Sequence, residues 1–225
     1  MKKILFWGGS KLTEMLIKFL EPKKDFYIYD PMIDKLNFKM KCKFFNRKED
    51  FIKIISECDE FIVGIGGSNG YARLETSLFL KSLELKPISY VSSDCHIYSD
   101  KEIGEGNIIF PLSAFGNNCQ IGNYNFIDFR ATSNHDTIIK DGNFLAINSV
   151  IQGESIIGNF SSIYTNSVLG EHLDMKNNTI LGANSFLKSK EISSGKIYAG
   201  IPAREIGINK INFNEDKIDE IKRLL

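Results

Sequence analysis

Every sixth residue in the second half of this chain is apolar, from Val91 to Leu187. Sixteen of the seventeen positions in this series are hydrophobic, and Ser133 is the exception. Because 43% of all residues are hydrophobic, chance would place only about seven there. No insertion breaks the spacing. A strict six-residue period predicts a parallel β-helix in which three hexads form one turn and the apolar side chains point inward.

Other positions of the hexad agree with this coil. Small residues follow four positions after the apolar residue, and glycine often follows directly after it. Asparagine recurs three positions after it, at residues 118, 148, 166, 178 and 184. Asparagine and glycine tolerate φ > 0 best, so this position is predicted to form the corner. Each residue should stack on its equivalent eighteen residues away, with coils about 4.8 Å apart. An ordinary β-sandwich would instead show irregularly spaced alternation with a period of two.

The first half has a different pattern, in which short apolar runs alternate with apolar residues at helical spacing. Strands are predicted over Lys3–Trp7, Phe26–Tyr29, Phe61–Ile65 and Pro87–Val91, and helices over Lys11–Leu20, Glu49–Cys58 and Tyr71–Leu83. Alternating strands and helices indicate a small parallel sheet of Rossmann-like α/β type. We therefore expect a Rossmann-like domain over 1–90, a β-helix over 91–207 and a helical tail over 208–225.

Composition limits the kind of partner. Lys+Arg and Asp+Glu both number 28, so no net charge would attract nucleic acid or an anionic membrane. The four cysteines have no CxxC spacing and are expected to be buried thiols in a reducing compartment. The apolar run at the N-terminus ends at Gly8, and no stretch approaches the roughly 20 apolar residues that span a bilayer. These features favour a cytoplasmic protein that recognises its partner through a specific site.

The hexads resemble those of the hexapeptide-repeat acyltransferases, whose coil is a left-handed β-helix. A Rossmann-like first half joined to such a coil is similar to the bacterial sialic acid O-acetyltransferases and bacillosamine-pathway N-acetyltransferases. The resemblance spans residues 3–207, and its most specific motifs are Asn134-His135-Asp136 and the segment Ala199–Arg204. The resemblance implies the left-handed coil, acetyl-CoA as co-substrate and a sugar acceptor.

His135 is the candidate catalytic base. It lies in the hexad of Ser133, the one with a polar inward position, and functional sites tend to fall where a local pattern breaks. Histidine can accept a proton near neutral pH, and a neighbouring carboxylate such as Asp136 can orient the ring. The family motif supports both assignments. No metal is expected, because His96 and His172 are out of phase with His135 and about two coils away from it, whereas a metal needs three or four converging ligands.

The resemblance also implies substrate contacts. Asp128 occupies a position where related N-acetyltransferases place a polar residue near the sugar amine. In the first half, the chain departs from the family's glycine–histidine loop, since it carries a glycine pair followed by Ser10 and Lys11. The loop amides and the lysine remain candidates for binding a diphosphate. The expected nucleotide-sugar contacts are Gly8, Gly9, Ser10, Lys11, Asp30, Gly66, Asn69 and Arg73.

Acetyl-CoA is expected along the edge of the helix, between neighbouring subunits of a homotrimer. Phe144 stands where related enzymes often have a second histidine, so any contact of that histidine with the acetyl carbonyl is lost. The backbone amide of Gly153 is the candidate donor to the oxyanion. The remaining expected cofactor contacts are Ala183, Lys188, Gly200, Ile201, Pro202 and Arg204.

These features favour an acetyl-CoA-dependent N-acetyltransferase that acts on an amino sugar, expected to be nucleotide-linked, for a bacterial surface glycan. Asp128 favours an amine acceptor. Two alternatives remain at this point: an O-acetyltransferase acting on a sialic-acid-like sugar, and a sugar-binding homologue without catalysis, which Phe144 favours and the intact Asn134-His135-Asp136 opposes.

Overall fold

The computed structural model describes residues 3–20, 25–39, 42–101, 103–211, 213 and 216–224. They form two compact units. The first contains the described residues of 1–66, 72–89 and 213–225, and the second contains 67–71 and those of 90–212. No helix in the described part of the chain is both long and apolar enough to cross a membrane.

The first unit is built on a five-stranded parallel sheet. Its elements are β1 (Lys3–Trp7), α1 (Lys11–Phe19), β2 (Phe26–Tyr29), β3 (Lys43–Phe45), α2 (Lys48–Ile55), β4 (Cys58–Val63), α3 (Gly70–Ser82) and β5 (Lys86–Pro87). The strand order is β3-β2-β1-β4-β5. This confirms the Rossmann-like arrangement. The order reverses at β1, and the crevice outside the carboxyl ends of β1 and its neighbours is where such sheets bind ligands.

Strand β4 begins earlier than the sequence predicts. We expected a strand over Phe61–Ile65 and a helix that ran to Cys58, but β4 pairs with β1 already from Cys58 onward. Asp59 and Glu60 interrupt the apolar run, which hid the start of the strand. Backbone pairing with β1 outweighs the weak strand preference of these two acidic residues.

The core of the first unit is aromatic. The Trp7 ring packs edge-to-face on Tyr29 and Phe51, with ring centroids 4.9 and 5.5 Å apart. The predicted helical tail forms α4 (Asp216–Lys222). Its Ile218 and Ile221 are buried in the same core, so the end of the chain completes the packing of the first unit.

The second unit is the predicted β-helix, a series of two-residue strands six residues apart, except that β7 and β8 are twelve apart with a single bridge at Ile103 between them. They are β6 (Tyr90–Val91), β7 (His96–Ile97), β8 (Ile108–Ile109), β9 (Ala114–Phe115), β10 (Gln120–Ile121), β11 (Phe126–Ile127), β12 (Thr132–Ser133), β13 (Ile138–Ile139), β14 (Phe144–Leu145), β15 (Val150–Ile151), β16 (Ile156–Ile157), β17 (Ser162–Ile163), β18 (Val168–Leu169), β19 (Asp174–Met175), β20 (Ile180–Leu181) and β21 (Phe186–Leu187). An antiparallel hairpin of β22 (Lys196–Gly200) and β23 (Ala203–Ile208) follows.

These strands form three sheets, which are the faces of a left-handed β-helix. The first face has the order β23-β22-β20-β17-β14-β11-β8-β6, the second β21-β18-β15-β12-β9-β7, and the third β10-β13-β16-β19. Residues eighteen apart pair in parallel, as in Ile127 with Leu145, which confirms the predicted stacking. The inward side chains, among them Ile127, Leu145 and Ile163, are fully buried, because they stack on one another inside the coil.

The corners adopt the left-handed backbone conformation that the asparagine positions predict. Every sixth residue from 106 to 184 has φ between +52° and +66°. Glycine and asparagine adopt this region readily, whereas for other residues it costs about 1–2 kcal/mol. Several corners nevertheless carry larger side chains, including Leu112, Tyr124 and Phe160. The repeated pairing of adjacent coils holds these corners in place.

Leu112→Asn should stabilise the protein. The Leu112 side chain is 51% exposed and its φ is +64°, so asparagine relieves backbone strain at little cost in packing. We expect the free energy of unfolding to rise by about 1 kcal/mol and the melting temperature by about 2–4 °C. Thermal unfolding followed by circular dichroism measures this change. An unchanged or lower melting temperature would show that the corner is not strained.

The cysteines fit the expectation of buried thiols in part. Cys58 and Cys119 are buried, whereas Cys42 and Cys95 are half-buried, and all four are free. Burial raises the pKa of the Cys58 and Cys95 thiols to about 11. Both therefore stay protonated, and so weakly nucleophilic, at neutral pH.

Candidate functional site

His135 and Asp136 lie at the corner between the second and third faces, directly after β12. Asp136 Oδ2 lies 2.8 Å from His135 Nδ1. The backbone N–H of His135 donates to Asn134 Oδ1 at 2.9 Å, so all three residues of the motif take part in one local network. The carboxylate favours the tautomer with a proton on Nδ1, which leaves Nε2 as an acceptor. This is the arrangement that a general base requires.

Asn118 is a site residue that the sequence analysis did not single out. Its Nδ2 donates to Asp136 Oδ1 at 3.0 Å. Hydrogen bonds from Asn118 and then from His135 hold the pKa of Asp136 below its usual value. Both carboxylate oxygens are therefore engaged, and Asn118 positions the carboxylate that orients the imidazole. The signal was present in the sequence, since Asn118 stands eighteen residues before Asp136.

Asn118→Gly tests this positioning role. Glycine keeps the left-handed corner, where Asn118 has φ +58°, but removes the amide that holds Asp136. We expect kcat/KM to fall roughly 3-fold to 10-fold, which is the loss of one hydrogen bond to an exposed charged group. Steady-state kinetics, with a melting curve to confirm folding, measures the effect. If kcat/KM is unchanged, Asn118 does not position the carboxylate.

A buried polar cluster lies beneath the same corner. Ser133, the exception among the inward positions, hydrogen bonds to Thr137 through its hydroxyl group. Cys119 Sγ donates to the backbone carbonyl of Asn134 at 2.8 Å, and Thr137 Oγ1 donates to Cys119 Sγ at 3.1 Å. The polar inward residue thus belongs to a network that supports the backbone of the Asn134–Asp136 segment from inside the coil.

Gly153 lies against the imidazole, one coil beyond His135. A Cβ atom built on Gly153 would lie 2.8 Å from His135 Cε1 and 2.9 Å from Nε2. Gly153 is buried, yet its amide donates no hydrogen bond to any described residue. Because Gly153 lies against the imidazole, its amide stays the candidate donor to negative charge on an oxygen bound there.

Asp128 is half-buried at the corner before β12. Burial raises the pKa of its carboxyl group, and the hydrogen bond that Phe129 N–H donates to Oδ1 at 2.8 Å opposes this. Partial desolvation makes the carboxylate a stronger partner for a cation than a fully exposed one. The expected contact of Asp128 with a sugar amine stays a prediction.

Phe144 is buried on the outer side of β14. Its ring stacks on Phe126 with centroids 5.2 Å apart and meets Tyr164 edge-on at 5.9 Å. These contacts account for an aromatic side chain at the position where related enzymes often have histidine. They do not test the expected contact with the cofactor.

The other expected cofactor residues are on coils beyond Gly153 and on the hairpin. The side chains of Ala183, Lys188, Ile201, Pro202 and Arg204 are exposed. Gly200 N–H donates to Ser185 Oγ at 2.9 Å, which ties the hairpin turn to the last coil. Lys188 and Arg204 supply two cationic groups at this end of the coil.

The first unit places its candidate residues at the carboxyl edge of the sheet. Asp30 Oδ2 accepts from Gly9 N–H at 2.8 Å, and Oδ1 accepts from Met32 N–H at 2.9 Å. Ser10 Oγ donates to the Gly64 carbonyl at 3.0 Å. Gly8 has φ +111°, and a Cβ there would lie 3.1 Å from the Gly64 oxygen. This close approach between the turn after β1 and the residue after β4 requires glycine.

The start of helix α1 carries the remaining positive group of this loop. Lys11 is largely exposed and pairs with Glu14 at 2.6 Å. The Ser10 hydroxyl group forms no N-cap hydrogen bond with α1. It therefore accepts no hydrogen bond from the backbone amides at the start of the helix. These amides and Lys11 suit an anion.

Arg73 departs from the expectation of a ligand contact. Its side chain is 1% exposed, and Nη1 donates to the Ile65 carbonyl at 2.9 Å. Burial lowers the pKa of the guanidinium group. Arg73 therefore holds the backbone after β4 from inside the unit, and its side chain has no surface available for a ligand. Sequence alone could not show that Arg73 faces inward on α3. Gly66 and Asn69 stay predictions.

Within the described residues, no three His, Cys, Asp or Glu side chains are grouped so that they could hold a metal ion. His172 instead pairs with Glu154, with Nδ1 3.3 Å from Oε2, at the same kind of corner as His135.

No protein-family model and no curated protein matches the chain. Solved structures do match over nearly its whole length. A histidine-to-asparagine variant of perosamine N-acetyltransferase from Caulobacter crescentus, in complex with CoA and GDP-perosamine, superposes with a TM-score of 0.80. It is 15% identical, and the match covers 92% of this chain and 98% of that one.

Two further structures agree. The acetyltransferase domain of PglB from Neisseria gonorrhoeae, in complex with acetyl coenzyme A, matches with a TM-score of 0.78 and 16% identity, over 91% of this chain and 99% of that domain. WeeI from Acinetobacter baumannii matches with a TM-score of 0.67 and 20% identity, over 92% and 100%. The chain has the two-part fold of these proteins. At such identities the likeness establishes the fold, and the chemistry must be argued from this chain's own residues.

Proposed function

We propose that the protein is an acetyl-CoA-dependent N-acetyltransferase that acts on a nucleotide-linked amino sugar in bacterial surface glycan biosynthesis. The observation that carries the proposal is the imidazole of His135, which Asp136 orients and which lies against Gly153. A base and an oxyanion donor side by side are what acyl transfer from a thioester requires.

The proposed reaction is a direct transfer. His135 Nε2 accepts a proton from the acceptor amine as its nitrogen forms a bond to the thioester carbonyl carbon. Gly153 N–H donates a hydrogen bond to the carbonyl oxygen, on which negative charge develops. The protonated imidazole, stabilised by Asp136, then returns the proton to the departing sulfur as the C–S bond breaks. The products are the sugar amide and free CoA thiol, so atoms and charge balance.

The coils that follow His135 suit acetyl-CoA. The exposed groups at Ala183, Lys188 and the hairpin turn lie towards the C-terminal end of the coil, on the same side of His135 as Gly153. Lys188 and Arg204 would bind the phosphates of the cofactor. The structural neighbours that contain CoA or acetyl-CoA support this choice of co-substrate.

The first unit suits the nucleotide. A turn of two glycines leads into α1, Lys11 is exposed, and Asp30 fixes the Gly9 amide. The start of a helix at the carboxyl edge of a parallel sheet favours phosphate binding. The neighbour that holds GDP-perosamine makes a nucleotide-linked 4-amino sugar the first acceptor class to test.

A homotrimer with active sites between subunits is part of the proposal. Half-exposed apolar side chains line the outer surface of the second face at Val150, Val168 and Phe186. Contact between copies along these coils, all of which come after His135, would bury them. Light scattering should give about three times the 25.5 kDa mass of the chain. A monomer would contradict the proposed site between subunits.

Release of CoA thiol, measured with a panel of amino and hydroxy sugar nucleotides, tests the function. We expect turnover with a UDP- or GDP-linked amino sugar and an acetyl product that resists hydroxylamine, as an amide does. A hydroxylamine-labile product from a hydroxy sugar would instead show O-acetylation of a sialic-acid-like acceptor. Binding without turnover across the panel would indicate a sugar-binding homologue without catalysis.

A further inference from the structure

An exposed aromatic pair stands on the outer surface of the second face, two coils before His135. Tyr98 is 71% exposed, and its ring stacks on His96 with centroids 6.2 Å apart and an interplanar angle of 15°. Exposed aromatic side chains of this size on a regular sheet are candidates for ligand contact. Neither residue takes part in the base or oxyanion arrangement.

Strand register fixes where this pair lies relative to His135. Strand β7 pairs with β9, and β9 pairs with β12. Tyr98 N–H donates to the Phe115 carbonyl, and Gly116 N–H to the Ser133 carbonyl, both at 2.9 Å. Tyr98, Gly116 and Asn134 therefore form one column, and about 10 Å separates Tyr98 from Asn134 along the axis. His135 follows directly after Asn134.

The coil between Tyr98 and Asn134 has small side chains. Its residues in the outward columns are Ala114 and Gly116, so no side chain larger than a methyl group stands between the coil of Tyr98 and the Asn134–His135 corner. This stretch of surface is called the notch. Gly116 cannot be larger, because a Cβ there would lie 2.9 Å from His135 N and 3.0 Å from Asn134 C. The backbone of Gly116 thus forms the floor of the notch immediately beside the catalytic corner.

The two sides of His135 differ in character. The candidate cofactor groups, from Gly153 to the hairpin, are on coils after His135, and the imidazole leans towards Gly153. An acceptor must reach Nε2 without displacing the thioester, so it would approach from the coils before His135. The notch and Tyr98 are on that side.

We infer that Tyr98 is an acceptor-binding residue whose ring stacks against the pyranose of the amino sugar over Gly116. This inference rests on the proposed function and names the group that selects the sugar. A pyranose has an apolar face of C–H groups that can lie on an aromatic ring, whereas its polar edge would point to Asn134 and His135. Aromatic walls with a few directed polar groups are the usual construction of such sites.

Calorimetry in a His135→Ala background tests the inference without turnover. The probes are CoA, the nucleoside diphosphates UDP and GDP, and UDP- and GDP-linked 4-amino sugars, including GDP-perosamine. Adding Tyr98→Ala should weaken the tightest-binding sugar nucleotide about 10-fold. The Kd of CoA and that of the sugar-free diphosphate should change less than about 2-fold, because Tyr98 would contact only the sugar. Tyr98→Phe, which keeps the ring, should restore most of the lost affinity.

Three outcomes would overturn the inference. The first is an equal Kd for the sugar nucleotide with and without Tyr98→Ala. The second is an equal loss of affinity for the sugar nucleotide and for the free diphosphate. The third is a change in mass by light scattering, which would place Tyr98 at a contact between copies. Absence of any sugar-nucleotide binding overturns it as well. Turnover by the unaltered protein is measured separately. Sugar-nucleotide binding that depends on Tyr98, without release of CoA thiol, would refute acetyl transfer but support the contact between Tyr98 and the sugar.

Discussion

His135→Ala is expected to lower kcat about 100-fold to 10,000-fold, the usual contribution of a general base. The imidazole pairs with the Asp136 carboxylate and lies against Gly153, the candidate oxyanion donor. The affinity for CoA should change little, since the residues proposed to bind it are on later coils. Initial rates of thiol release and calorimetry with CoA measure the two effects.

His172→Ala is the matched control. His172 is also exposed at a corner and also pairs with an acidic residue, Glu154, at 3.3 Å, but a Cβ built on the described glycines meets no atom of its ring among its nearest contacts. We expect less than about a 2-fold change in kcat for this variant. Equal losses in both variants, or a His135→Ala enzyme with normal kcat, would contradict the assignment of His135 as the base.

Gly153→Ala should have the second largest effect. The new Cβ would lie within 3 Å of two imidazole atoms, so the ring must move away from Gly153. Misplacement of a reacting group by about 1 Å, together with disturbance of the oxyanion donor, should lower kcat about 100-fold or more. Steady-state kinetics at saturating acetyl-CoA measures this loss.

Gly207→Ala separates the local effect from any general intolerance of alanine. A Cβ at Gly207 would meet only Ile197 Cδ1 at 3.9 Å, an ordinary contact. Its kcat and melting temperature should match those of the unaltered protein. If Gly153→Ala retains full activity, neither the packing of the imidazole on Gly153 nor the amide matters for the reaction.

The β-helix was predictable because one physical requirement repeats without interruption. An apolar inward side chain is needed at every sixth residue, and a corner with φ > 0 follows three positions later. A single exception such as Ser133 therefore does not obscure the pattern. The Rossmann-like half was predictable in outline from alternating strands and helices. The start of β4 was missed, because Asp59 and Glu60 interrupt the apolar run although Cys58 and Glu60 pair with β1.

The candidate site was predictable where chemistry and motif coincide, at His135 and Asp136. Asn118 was missed as a site residue, because it acts through the side chain of Asp136, one coil away. A pattern of residue types does not show which side chains are in contact. The orientation of Arg73 was also beyond the sequence. A charged residue on a helix is ordinarily solvent-exposed, yet this one is buried and bonded to the Ile65 carbonyl.

The most direct test of the account is a crystal structure of the protein with CoA and an amino-sugar nucleotide bound. We expect the acceptor nitrogen within about 3.2 Å of His135 Nε2, directly or through one water, and the CoA sulfur beside Gly153. A sugar amine far from the imidazole, in crystals that form the acetylated sugar once acetyl-CoA replaces CoA, would contradict the proposed role of His135.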